Sequence, residues 1–309
     1  MNKNSCVLVL GSGGLVGSAI IRVLTDQGYK NLLSPKRNEL DLLNQSATLE
    51  YFEKYKPEIV FMAAAKVGGI LANNTYRADF IFENLQIQQN VFNAAFKTKV
   101  PKLLFLGSSC IYPKNCPQPI KEEYLLTSEL EFTNEPYAIA KIAGLKTTQA
   151  MRNQYGLEWI SVMPTNLYGV NDNFDPKNSH VIPGLIARMH HAIKNNDSEF
   201  KIWGSGAPRR EFLYVDDMAR ACIHVLSHEG YIPDYINIGT GEDMEIKEIA
   251  EIISQKMKFK GKLTFDTSKP DGTMRKLLDV SKIKKMGWTP LVSLSEGLDR
   301  SIEFYLSKT

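Results

Sequence analysis

Ser108, Cys110, Tyr137 and Lys141 have the types and spacing to do chemistry together. Of the 13 tyrosines, Tyr137 alone has a lysine four residues on, a spacing that puts both side chains on one helical face. An ammonium near a phenol is expected to lower the phenol's pKa and ready its proton for a carbonyl oxygen, while a serine hydroxyl orients that carbonyl. Cys110, two residues past the serine, has no task in a plain exchange between alcohol and carbonyl. A thiol suits proton exchange on the carbon beside the carbonyl. Since a cysteine after a strand is more often a small buried hydrophobe, the thiol's role stays open at this point.

These residues need a scaffold, and the hydrophobic pattern supplies one. Buried-strand runs at 6–10, 31–34, 58–62, 102–106 and 159–163 alternate with helix-patterned sequence. That alternation predicts an α/β fold, a Rossmann doubly wound parallel sheet with helices on both faces. The fourth strand runs into Gly107, Ser108 and Ser109, where such a sheet presents its ligands, and the Tyr137 helix follows Asn134-Glu135-Pro136. After Pro164 the pattern changes to a loop-rich stretch, a helix at 182–194 and a short strand at 199–203. The expected division is a dinucleotide-binding domain over 1–165, with later returns near 214–240, and a smaller C-terminal α/β lobe, mainly substrate-binding, over 166–309.

The run Gly11-Ser12-Gly13-Gly14-Leu15-Val16-Gly17 follows the first strand and opens an apolar helix. Glycines at 11, 14 and 17 permit a tight turn, close approach to a pyrophosphate and helix packing on the sheet, with the helix N-terminus attracting phosphate. At the end of the second strand NAD would call for an acidic residue, but Lys36 and Arg37 stand there instead. Two cations suit the extra phosphate of NADP, although basic pairs are also common on solvated loops.

With 309 residues, 43% hydrophobic, the chain can bury a large core. No apolar run reaches the roughly 20 residues of a membrane span, and the N-terminus does not read as a signal peptide. The four cysteines lack zinc or disulfide-scaffold spacing, so reduced thiols, a cytoplasmic location and no metal are expected. A net charge of +3 does not argue for nucleic acid and suits an anionic small molecule.

Over almost its whole length the chain resembles the extended short-chain dehydrogenase/reductases. Within them it is similar to the nucleotide-sugar epimerase-reductases, through the strings Ala63-Ala-Ala-Lys-Val-Gly-Gly-Ile70, Gly107-Ser-Ser-Cys-Ile-Tyr-Pro113, Asn134-Glu-Pro-Tyr-Ala-Ile-Ala-Lys141, Met163-Pro-Thr-Asn-Leu-Tyr-Gly169, Asn178-Ser-His-Val-Ile-Pro183 and Trp203-Gly-Ser-Gly206. The resemblance implies an NADPH-dependent 3,5-epimerisation and 4-reduction that turns GDP-4-keto-6-deoxy-D-mannose into GDP-L-fucose. It implies Cys110 and His180 as the acid/base pair of epimerisation, with Ser108, Tyr137 and Lys141 at the carbonyl. For NADP it adds Ala63, Ala64, Leu106, Gly107, Pro164, Asn166, Leu167 and His180 to the glycine loop, Lys36, Arg37, Tyr137 and Lys141. Some bacterial relatives carry arginine where this chain has Gly13, which leaves Arg37 as the main 2′-phosphate candidate. For the nucleotide sugar it implies Arg188, Trp203 and Arg210, with Ser108, Ser109, Asn166 and Asp271 as further contacts. Arg209 is as good a phosphate ligand as Arg210 from sequence. Relatives of this kind are usually homodimers joined through helices of the cofactor domain, including the one carrying Tyr137 and Lys141.

Two rivals share these features. A 4-epimerase or 4,6-dehydratase of the same fold would keep its cofactor and show no net oxidation, but a dehydratase usually has an acidic residue where Ser108-Ser109-Cys110 has none. A non-catalytic NADP-sensing protein could dispense with Tyr137 and Lys141.

Overall fold

The computed structural model describes residues 1–175, 179–268 and 271–309. Its strands are β1 (Val7–Leu10), β2 (Leu32–Leu33), β3 (Ile59–Met62), β4 (Lys102–Leu106), β5 (Glu158–Pro164), β6 (Asn166–Tyr168), β7 (Glu199–Trp203), β8 (Arg209–Tyr214), β9 (Tyr235–Ile238), β10 (Asp243–Glu245), β11 (Lys262–Asp266) and β12 (Arg275–Lys276). The α-helices are α1 (Leu15–Asp26), α2 (Gln45–Tyr55), α3 (Ile70–Thr75), α4 (Arg77–Lys97), α5 (Glu135–Tyr155), α6 (Val181–Lys194), α7 (Val215–Ser227), α8 (Ile246–Lys256), α9 (Ser281–Lys285) and α10 (Leu294–Leu306).

Strands that are apolar at every position must be covered on both faces, and Val7–Leu10 and Ile59–Met62 are buried throughout. They lie inside a six-stranded sheet ordered β2-β1-β3-β4-β5-β9, with every neighbour pair parallel. One face packs α1 and α7 through Ile20, Leu24, Met218 and Cys222, and the other packs α2 and α4 through Phe52, Val91 and Phe92 beside Trp159. The strand expected over 31–34 shrinks to Leu32–Leu33, because it is the sheet edge and Pro35 cannot continue the ladder.

The order reverses at β1, with β2 on one side and β3 on the other, and this opens a crevice at the carboxyl ends of β1 and β3. Past β5 the chain builds a second core, in which α6, α8 and α10 close over β7 and β8 through Ile186, Phe200, Ile202, Phe212, Ile253 and Leu298. There β8 lies between β10 and β12 and also pairs with β6, while β7 pairs with β11. In between, α7 and β9 run with the first sheet. No helix among the described residues is long and apolar enough to cross a membrane.

Candidate active site

At the crevice, Gly11 has φ of 83° and a side chain there would meet the Ala64 nitrogen at 2.7 Å. A side chain on Gly17 would sit 2.1 Å from the Gly11 carbonyl oxygen, so α1 packs on the turn only as glycine. Nothing lies within 4 Å of where Gly13 would carry a side chain, so the turn's outer face is open. Gly14 caps α1 without a side chain, leaving the N–H groups of the first turn, at Leu15, Val16 and Gly17, without helical carbonyl partners. Ser12 Oγ donates to the Ser34 and Pro35 carbonyls at 3.0 and 3.2 Å, which ties the loop of Lys36 and Arg37 to the glycine turn. Both cations are exposed and neither is ion-paired among the described residues. Open amides, a close-packed turn and two free cations fit a phosphorylated dinucleotide such as NADP.

Ser108 follows β4 and caps a 3₁₀ turn over Ser109–Ile111, its Oγ accepting from the Cys110 N–H at 3.2 Å. That turn leaves Ser108 and Cys110 half-buried and buries Ser109, so Ser109 has little to offer a ligand beyond its backbone. Pro136 in the first turn of α5 starts the helix, and Tyr137 packs edge-on against Phe80 at 6.2 Å. Lys141, one turn on, is 2% exposed; its Nζ donates to the Leu106 carbonyl at 2.7 Å and lies 5.7 Å from the Tyr137 ring centroid. One expectation is corrected here. Burial drives the Tyr137 phenol well above its ordinary range, the nearby Cys110 adds to this and the Ser108 hydroxyl only partly offsets it. Burial also lowers the Lys141 ammonium from 10.5 to about 7, so the lysine is a weak source of positive charge for the phenol.

The Cys110 sulfur accepts from Asn134 Nδ2 at 3.4 Å and from Lys276 Nζ at 3.5 Å. Neither residue has a role in the sequence reading. Asn134 begins the Asn134–Lys141 run, but Lys276 lies 166 positions from Cys110 and no local pattern marks it. His180 caps the N-terminus of α6, where desolvation lowers its imidazole below 6.5. No hydrogen bond joins its ring to Cys110 or Tyr137 among the described residues, and Asn178, in the same string, lies outside them.

On α6, Arg188 donates to the Lys201 carbonyl at 3.0 Å and stacks 4.5 Å over Trp203, which is 49% exposed. The two line a groove of about 410 Å³ with Phe200 and Asp266. Strand alternation separates the two neighbouring arginines. Arg209 binds Asp243 at 2.8 Å and approaches Glu245 at 3.6 Å, whereas Arg210 meets no carboxylate among the described residues and desolvation lowers its pKa. The carboxylate of Asp271 accepts from the Ser205 N–H at 2.7 Å and from its hydroxyl at 2.9 Å, so it shapes the loop after Trp203. Asn166 Nδ2 donates to the Glu211 carbonyl at 2.9 Å. Glu211, which the sequence reading passes over, is wholly buried; its carboxylate accepts from Gly241 N at 2.7 Å and Leu278 N at 3.0 Å, binding β8 to its surroundings. Pro164 ends β5 and Leu167 pairs with Leu213, next to these groups.

Comparison with known proteins agrees with this geometry. Residues 7–239 match the NAD dependent epimerase/dehydratase family. The chain is 56% identical to a putative GDP-L-fucose synthase 2 of Arabidopsis thaliana, over 99% of this chain and 93% of the relative. It is 51% identical to the GDP-L-fucose synthase of Escherichia coli, over 97% and 96%. A solved GDP-mannoheptose C4 reductase from Campylobacter jejuni, with NADP bound, superposes with a TM-score of 0.90 at 38% identity over the whole of both chains. The chain belongs to the NAD dependent epimerase/dehydratase family.

Proposed function

We propose that the protein is an NADPH-dependent epimerase-reductase that converts GDP-4-keto-6-deoxy-D-mannose to GDP-L-fucose. The observation that carries this is a half-buried thiol at Cys110, in contact with hydrogen-bond donors, two residues from a serine and facing a Tyr-Lys pair. Identity above 50% to GDP-L-fucose synthases over nearly the full chain supports it.

The roles follow from the groups. Ser108 and Tyr137 hold the 4-carbonyl oxygen, and the charge that builds on it when a proton leaves C3 or C5 falls on their hydroxyls. Cys110 and His180 take and return those protons. Inversion needs two groups because removal and return use opposite faces. NADPH, when bound, supplies the hydride for C4. Burial keeps the Tyr137 phenol protonated, so it arrives at the reduction with a proton to give. Arg210 and Arg188 attract the diphosphate, Trp203 offers a face for packing, and Asn166 and Asp271 shape the walls. Residues 1–165 with the returns near 214–240 hold NADP through Gly11–Gly17, Lys36, Arg37, Ala63, Ala64, Leu106 and Gly107, and 166–309 mainly form the substrate lobe.

We also assign a homodimer through α4 and α5, which expose Phe82 (72%), Leu85, Phe96, Ile139 and Tyr155. A cytoplasmic setting fits the free thiols of Cys6, Cys110, Cys116 and Cys222.

The nearest rival is C4 reduction without epimerisation; C4 reduction is the reaction for which the Campylobacter jejuni protein is named. Incubation of the keto sugar with NADPH in deuterium oxide separates them. Epimerase-reductase activity places deuterium at C3 and C5 of GDP-fucose, and Cys110→Ser loses that label while still binding NADP. Cofactor oxidation with no label would refute the proposal.

A further inference from the structure

The sulfur of Cys110 is contacted by Asn134 Nδ2 at 3.4 Å and Lys276 Nζ at 3.5 Å, and both are donors. A thiol can accept such contacts too, but a thiolate, with no proton of its own to place and a negative charge beside an ammonium, is the form these two donors favour more. We propose that Lys276, assisted by Asn134, is a positioning residue that holds the Cys110 sulfur in its deprotonated, proton-accepting form. This rests on the assignment of Cys110 to proton exchange on the sugar.

The placement of Lys276 is built in. In the parallel pairing of β12 with β8, Arg275 lies beside Arg209 and Lys276 beside Arg210. Asp243 takes both outer partners, Arg209 at 2.8 Å and Arg275 at 2.5 Å. The inner partners, Arg210 and Lys276, have no carboxylate within ion-pair reach among the described residues, so their charge is uncompensated. The strand end cannot drift, because Leu277 N donates to Gln118 Oε1 at 2.9 Å and Leu278 N to Glu211 at 3.0 Å. The end of the Asn134 amide nearest the sulfur is Nδ2, and its Oδ1 is buried with no partner among the described residues.

In the step this serves, the C–H bond next to the ketone breaks and its proton passes to the sulfur. The electron pair moves into the enolate, whose charge rests on the carbonyl oxygen beside Ser108 and Tyr137. Lys276 keeps its own proton throughout, and reprotonation reverses the sequence.

The test is the rate at which iodoacetamide alkylates Cys110 in the substrate-free protein between pH 5 and 9, read on the Cys110 peptide with Cys6 as internal control. Removing a unit charge 3.5 Å away, even with water-like screening, changes such a rate about ten-fold. Lys276→Met is therefore expected to slow alkylation about ten-fold or more near neutrality and to move its pH profile upward. Lys276→Arg preserves the rate to within a few-fold, and Asn134→Leu slows it several-fold. Unchanged alkylation in Lys276→Met overturns the proposal, including the case in which only KM for the nucleotide sugar rises, which would make Lys276 a diphosphate ligand. Slowed alkylation with normal deuterium entry at C3 and C5 upholds the hold on the sulfur and refutes Cys110 as the exchanging group.

Discussion

Lys141 offers a test of the site's electrostatics that needs no substrate. Its side chain is 2% exposed, its Nζ has the Leu106 carbonyl at 2.7 Å, and no carboxylate pairs with it among the described residues. Burial therefore lowers the ammonium from 10.5 to about 7. Between those values the unfolded chain holds one proton more than the folded one, so stability rises with pH across this window. Below pH 7 both states are protonated and the lysine makes its least favourable contribution; above 10.5 both are neutral. Each pH unit inside the window is worth about 1.4 kcal/mol, so the gain from pH 7 to 9 is of order 2 to 3 kcal/mol. Lys141→Met removes this dependence and packs about as well. Urea unfolding of both cofactor-free proteins from pH 6 to 9 should show the variant's advantage greatest at pH 6 and shrinking by about 2 to 3 kcal/mol by pH 9. A stability difference that stays constant to within about 0.5 kcal/mol over that range would refute the reasoning. It would mean that Lys141 stays charged in the folded protein.

Two further perturbations test the substrate lobe and the assembly. Arg210→Met should raise KM for the nucleotide sugar roughly 10- to 100-fold, since a hydrogen bond to a charged group is worth about 1.5 to 3 kcal/mol. Arg209→Met should leave KM within about two-fold, because its guanidinium is held by Asp243 on the other face of β8 and Asp243 keeps Arg275; equal effects of the two variants on KM would overturn the assignment. Phe82→Lys, at a ring 72% exposed on α4, should convert a dimer to a monomer in sedimentation, and an unchanged mass would remove that face from the interface.

What could be read in the sequence was what a short stretch of chain decides. The glycine turn after β1, the serine after β4 and the Tyr137-Lys141 spacing are each fixed within a few residues, and the parallel sheet follows from apolar runs alternating with helices. The choice between Arg209 and Arg210 was beyond sequence because it depends on which face of β8 meets Asp243 of β10, a matter of register. Lys276 was invisible for the same reason, since its place beside Cys110 comes from pairing with a strand 66 residues earlier. The protonation of Lys141 could not be read either: an ammonium four residues from a phenol looks like a source of charge until tertiary packing takes away its water.

That desolvation bears on how one cleft can serve two proton chemistries. Reduction asks for a group that still holds a proton when the hydride arrives, and epimerisation asks for one that has lost it. Alike surroundings for Tyr137 and Cys110 could not meet both demands. They are not alike: the phenol is buried beside a lysine whose own charge is suppressed, while the sulfur meets an amide and an ammonium that both donate to it. The division is set by β8 and β12, where Asp243 neutralises Arg209 and Arg275 on one side, while Arg210 and Lys276 on the other meet no carboxylate among the described residues. Removing the cation, as in Lys276→Met, should suppress proton exchange more than reduction. The phenol's proton depends on burial, which that change leaves in place, whereas the sulfur's readiness depends on a nearby positive charge.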